Sequence, residues 1–259
     1  MHYLSVCAIV KGEEKYIAEW LEFHLLQGVD HFYIYDNDPR SPRLKVILDK
    51  YKEVTYIPYE GQRAQLNAYQ HYLEHFLKQS KWTAFIDVDE FLYSTEYSIK
   101  AKLQYCNGGA LAVHWYLYGS NGRTHWTDDL VISRFQLREG KVNPHVKSIV
   151  NHEHVVSVGR DPHSFILAKE AMEEKGNELT PHYSLHFGGT ADIIRINHYH
   201  TKSLEEAKER WSIPRADTGT MRNTDFEEHF KSHDTNDVHD DSANFYADTI
   251  RMRLEERFK

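Results

Sequence analysis

Two hydrophobic periods take turns through residues 2–94, and this alternation restricts the possible folds more than any other feature of the chain. HYLSVCAIV (2–10) is alternating and β-branched, the mark of a strand. EEKYIAEWLEFHLLQG (13–28) puts Ile17, Trp20, Leu21 and Leu25 at helical spacing and ends on Gly28, a C-cap residue. HFYIYDND (31–38) is a second strand, closed by Asp36, Asn37, Asp38 and Pro39. A helix over 43–51, a strand over 54–59 and a helix over 64–80 follow, and WTAFIDVDEFLYS (82–94) supplies the fourth strand. The order β-α-β-α-β-α-β within about 90 residues predicts an α/β fold. It implies a mostly parallel sheet flanked by helices, with right-handed crossovers.

The remainder is less regular. GALAVHWYLYGSNG (109–122) reads as a strand entering a Gly-rich turn, and 129–137 and 145–159 read as further strands. DIIRINHYHTKS (192–203) predicts a strand leading into a helix over 204–215, with Ser203 as its N-cap. Residues 214–243 are polar and read as irregular, and a last helix covers 245–258. Phe245, Ile250, Leu254 and Phe258 fall near one face of that helix, beside the basic Arg251, Arg253 and Arg257. This pattern leaves open docking on the domain, docking on a partner subunit, or peripheral membrane association. The expected organisation is one domain over 1–213 with a C-terminal helical extension over 214–259 packed on it.

Composition removes several function classes. A hydrophobic share of 41% with 13% aromatic residues is no disordered chain, and 259 residues suffice for a large core. A net charge of −8 argues against nucleic acid as a partner. No apolar run is long enough to cross a bilayer, and the first residues lack the basic start of a signal peptide. Two cysteines, Cys7 and Cys106, read as free thiols in a reducing compartment. The expected location is cytoplasmic, free or at the inner face of the membrane. The 18 histidines are numerous enough to hide a metal site.

The chemistry is expected where the fourth strand stops. Asp87, Asp89 and Glu90 end an apolar run, and ligands in open α/β sheets bind beyond the carboxyl ends of parallel strands. Two carboxylates at i and i+2 of an extended segment point the same way and can share a hard cation, Mn²⁺ or Mg²⁺. A solvated turn after an edge strand is the plain alternative, disfavoured by the apolar residues on both sides.

AIVKGEEKYIAEWLEFHLLQGVDHFYIYDND followed by FIDVDEF resembles glycosyltransferase family 92 and related family-2-like glycosyltransferases of the GT-A fold. WYLYGSNG (115–122), HVKSIV (145–150), PHSF (162–165) and INHYHTKS (196–203) match further blocks in order, so the resemblance covers about residues 3–205. Gly12 departs from it, standing where these enzymes usually carry Asn, and so does the loop RTHWTDD.

The resemblance implies metal-dependent, inverting transfer of a sugar from a nucleotide-sugar donor to a glycan or lipid-linked saccharide. A UDP-linked donor is the leading expectation, with galactose one candidate for the sugar. Asp87, Asp89 and His198 then become the cation ligands, with His200 as a same-face neighbour. Val10, Glu13 and Asp36 are placed toward the base and ribose, although Asp36 equally suits a plain turn. Arg63, Asn67 and Lys202 are candidates for the diphosphate region, and the backbone of Gly119, Ser120, Asn121 and Gly122 for sugar or phosphate. Asp128 and Glu90 are the foremost candidates for the base, with Asp129 and Asp161 behind them; Trp115 and Trp126 are candidates for sugar stacking. An aspartyl-nucleophile phosphohydrolase and a non-catalytic sugar- or nucleotide-binding protein are the competing classes.

Overall fold

The computed structural model describes residues 1–96, 98–179, 184–214 and 219–259. Its first half follows the sequence pattern. Strands β1 (His2–Val10), β2 (His31–Asp36), β3 (Val54–Pro58) and β4 (Ser80–Phe85) alternate with helices α1 (Ile17–Leu26), α2 (Pro42–Leu48) and α3 (Ala64–His75). β1 pairs in parallel with β2 on one side and β4 on the other, and β3 lies outside β2. The chain therefore changes direction across the sheet between β1 and β4. Alternation along β1 serves two cores. Leu4, Val6, Ala8 and Val10 pack with Trp20, Leu21 and Phe23 of α1, while Cys7 and Ile9 pack with Tyr69 and Tyr72 of α3.

The second half comprises β5 (Glu90–Ser94), α4 (Ile99–Gln104), β6 (Ala110–Leu117), α5 (Val131–Arg134), β7 (Leu137–Arg138), β8 (Asn143–Asn151), β9 (Val155–Val158), β10 (Phe165–Leu167), β11 (Ala171–Met172), β12 (Glu178–Leu179), β13 (Ile194–His198) and α6 (Leu204–Trp211). β8 runs antiparallel to both β4 and β6, joining the halves into one sheet. β13 lies parallel to β6 and antiparallel to β5, which brings His198 level with Glu90.

Several elements differ from the sequence reading. WTAFIDVDEFLYS is two strands: the Glu90 N–H donates to the Asp87 carbonyl at 3.0 Å, so 87–90 is a turn between β4 and β5. Asp87 and Asp89 thus sit in a turn instead of at i and i+2 of one extended strand. Residues 131–134 are helical because the buried Glu19 carboxylate accepts from the N–H groups of Val131 (2.7 Å) and Ile132 (3.1 Å). That cap comes from α1, far away in sequence. The helix expected over 204–215 ends at Trp211, shortly before Pro214; Arg215 lies outside the described residues.

The stretch 214–243, read as irregular, contains α7 (Phe226–His233), whose N-cap Asp225 accepts from the Glu228 N–H, and β14 (Val238–His239), which pairs with β7. α8 (Ala247–Arg257) packs Ala247 and Ile250 into the core beside α1. Phe245 does not join that face; it lies in a 3₁₀ turn and is 84% exposed.

Candidate functional site

A cleft of about 510 Å³ opens at the carboxyl ends of β1 and β4, where the sheet changes direction. Ile9, Lys11 and Glu13 form one wall, and the β4–β5 turn forms the floor. The ends of β6 and β13 contribute Trp115, Leu117, His198 and His200, and α6 and α7 close over it with Arg210, His229 and His233.

The two aspartates occupy different surroundings. Asp87 accepts from Gln65 Nε2 of α3 and from Lys147 Nζ of β8, each at 2.8 Å. Asp89 is 3% exposed; its Oδ2 lies 2.5 Å from Arg210 Nη1 and 3.4 Å from His198 Nε2. Burial alone pushes the Asp89 carboxyl up, but Arg210 and His198 outweigh it and hold the group well below the usual carboxylate range. Glu90 accepts from the Asp87 N–H at 2.9 Å and sits 3.3 Å from Lys147. Burial pushes it up to about 7 against the pull of Lys147. Lys147, fully enclosed, loses to burial but gains more from Asp87 and Glu90, so its ammonium stays charged. The acid at the strand end is thus balanced by one lysine and one arginine.

The donor set can accommodate a cation. Ligand atoms of Asp89, His198 and His200 lie within 4.8 Å of one another, and His198 Nδ1 is buried with no hydrogen-bond partner among the described residues. One carboxylate with imidazoles suits Mn²⁺ better than Mg²⁺. Asp87, turned toward Lys147 and Gln65, stands beside this set.

Other candidates fall in or out of the cleft. Glu13 lines it, with a buried Oε2 that lacks a hydrogen bond among the described residues and lies 3.9 Å from Lys202 Nζ. Lys202 itself is buried over the Tyr16 ring and does not line the cleft. Val10 is core at the end of β1. Asp36 uses both oxygens internally, accepting from Asp38 N–H and Tyr56 O–H, so it holds the turn after β2. Neither Arg63, the left-handed residue before α3, nor the exposed Asn67 lines the cleft; Gln65 is the α3 residue that reaches the acids.

The Gly119–Gly122 turn is closed to ligands by the chain's own C-terminal segment. The Ser120 N–H donates to Asp234, the Asn121 N–H to Asn236 and the Gly122 N–H to Ser120 Oγ. A Cβ on Gly119 would collide with Thr235 and Asn236. Asp128 is exposed in a loop away from the cleft, which Asp129 also does not line; Asp129 pairs with Arg251. The Trp115 face is covered by a parallel His145 ring at 5.0 Å, and Trp126 lies outside the cleft. Gly12 adopts φ +70°, in the left-handed region that Gly and Asn tolerate best.

Sequence reasoning missed Gln65, Lys147 and Arg210. Lys147 left a signal, a lone charge inside the apolar strand HVKSIV; Arg210 left none, since it sits on an otherwise polar helix.

The family model of glycosyltransferase family 92 matches residues 2–243, and the chain belongs to that family. The match extends past residue 205 and takes in α7 and β14. Similar relatives are family 92 proteins of Oryza sativa subsp. japonica (23% identity; 60% of this chain, 30% of the relative), Ricinus communis (22%; 81% and 37%) and Arabidopsis thaliana (23%; 76% and 35%). The chain spans about a third of the length of these curated relatives. Among solved structures, a 4-diphosphocytidyl-2C-methyl-D-erythritol synthase of Anaerococcus prevotii matches with TM-score 0.38 and 13% identity over 59% of this chain and 72% of that one.

Proposed function

We propose that this chain transfers a sugar from a nucleotide-sugar donor, UDP-linked by first choice, to a glycan or lipid-linked saccharide, with inversion and with Mn²⁺ or Mg²⁺ as cofactor. The observation that carries this reading is the convergence of Asp87, Asp89, Glu90 and His198 in one cleft at the switch point of a family 92 fold. Asp89 and His198 hold the cation, with Asp87 beside them; when bound, it neutralises charge on the donor diphosphate and eases its departure. Arg210 releases Asp89 and turns its guanidinium toward the phosphates, a bidentate partner for them. Glu90 lines the cleft where Asp128 does not, so it is the better-placed proton acceptor for the attacking hydroxyl.

Calorimetry of UDP- and GDP-sugars with Mn²⁺ tests the reading. Wild-type protein should bind one donor class only with the cation present, and Asp89→Asn, which keeps the shape of the site, should lose that binding. Undiminished donor affinity in a folded Asp89→Asn protein sinks the assignment. His198→Ala should weaken Mn²⁺ binding by about 10-fold or more.

A further inference from the structure

α7 carries His229 and His233 one turn apart, and both face His200 at the end of β13. Ligand nitrogens of the three rings lie within 4.8 Å of one another. The His229 and His233 ring centres are 4.1 Å apart, and each lies within 6 Å of the His200 ring, at 5.8 and 5.2 Å. His233 Nδ1 already faces the His229 carbonyl at 2.9 Å, which fixes the ring and leaves Nε2 for a ligand role. The rings border both the main cleft and a smaller hollow walled by Trp211, Phe226 and Phe230.

We infer that His200, His229 and His233 form a second metal site, a three-imidazole centre for Zn²⁺ or a similar nitrogen-seeking transition ion. Three imidazole nitrogens are the wrong donors for Mg²⁺ and the right ones for Zn²⁺. Tetrahedral Zn–N bonds place nitrogens roughly 3.3 Å apart, so the rings would need to close by at most about 1.5 Å. Among the described residues, two cations border the site. Arg210 is ion-paired with Asp89, and Arg222 is held on the carbonyls of Arg210 and Ile213. Because the three rings line the main cleft, a fourth ligand would come from that side. The ion would tie α7 to the end of β13 and so fix the roof of the cleft. Its chemistry differs from that of the Asp89–His198 set, with which it shares only His200.

The test uses the metal-free full chain and Zn²⁺ alone. Calorimetry should give a tight Zn²⁺ site that survives Asp89→Asn, and thermal melting of that variant should show stabilisation by Zn²⁺ and not by Mg²⁺. His229→Ala and His233→Ala should each weaken Zn²⁺ at least 10-fold, while Asp89→Asn and His198→Ala should leave it within about 2-fold. His233→Asn, checked for fold by circular dichroism, covers the case in which an alanine variant misfolds. Co²⁺ bound in place of Zn²⁺ should quench Trp211, whose ring lies 4.8 Å from His229, and the quench should vanish in Trp211→Phe. The inference is overturned if no Zn²⁺ binds. It is equally overturned if Zn²⁺ binding is lost in Asp89→Asn and kept in both α7 variants, because the ion then belongs to the donor set.

Discussion

The parallel half of the sheet and the C-terminal segment from residue 219 onward pack against the same molecule by different means. In the first, Val6, Ala8, Phe32 and Ile34 are fully buried, and apolar contact does the work. In the second, Ala247 and Ile250 of α8 enter the core, but most of the remaining attachments are polar. Asp234 and Asn236 take the N–H groups of the Gly119–Gly122 turn, Asp240 takes Arg138 and Arg195, and Arg253 and Arg257 reach the buried Glu22. A hydrophilic segment is therefore integral to the fold when its polar groups satisfy donors and charges that would otherwise be buried alone.

The largest expected effect tests whether buried charge, once unpaired, costs as much as lost apolar volume. Arg134 and Glu206 form a two-bonded ion pair, at 2.8 and 2.9 Å, with both side chains about 1–2% exposed. Arg134→Met leaves Glu206 buried without its cation and should cost about 3–5 kcal/mol in urea unfolding, with much of this recovered when Glu206→Gln is added. Leu21→Ala, on the apolar side of the comparison, should cost about 3 kcal/mol through transfer loss and cavity formation. If Leu21→Ala is silent, the division drawn between the two regions fails.

Asp240 sharpens the comparison through pH. Burial raises its pKa, but Ser242 and the two arginines lower it more, leaving it at about 2 against an ordinary 3.8. A depressed carboxylate contributes stability above its unfolded value and loses it as pH falls through the folded one. Asp240→Asn should thus cost about 2 kcal/mol near pH 6, and the gap to wild type should narrow from pH 4 toward pH 2. A gap that stays constant over that range would mean that charge plays no part in this attachment. The smallest effect belongs to α6: Ser203→Ala removes a side-chain cap and one arm of a capping box, for about 1 kcal/mol.

The comparison also separates what could be read from what could not. The parallel half was legible because strand and helix periods are local, and β1 states its own two faces in nine residues. The turn at 87–90 was not, because the apolar residues on both sides made one continuous run of it. α5 was not, since its cap is Glu19 of α1, and no local pattern records a partner more than 100 residues away. α7 was nearly legible. Asp225, Glu227 and Glu228 at its start with Lys231 and His233 at its end are ordinary helix signals, hidden by the polarity around them. At the site, the acids and His198 were visible by residue type, whereas their counter-charges Lys147 and Arg210 arrive through tertiary contact. The Gly-rich turn was misjudged for a related reason. Its free N–H groups suggested a ligand, and the protein fills them itself.

The salt bridge from Arg257 to Glu22 at 2.6 Å joins residues 235 positions apart. Until α8 docks, the outer side of α1 carries a hydrated carboxylate beside apolar residues that have no cover. Such long-range closure slows folding, since the loop entropy must be met before the contact forms. During synthesis the parallel sheet can assemble early, yet α1 keeps one flank open until residues 247–257 have left the ribosome.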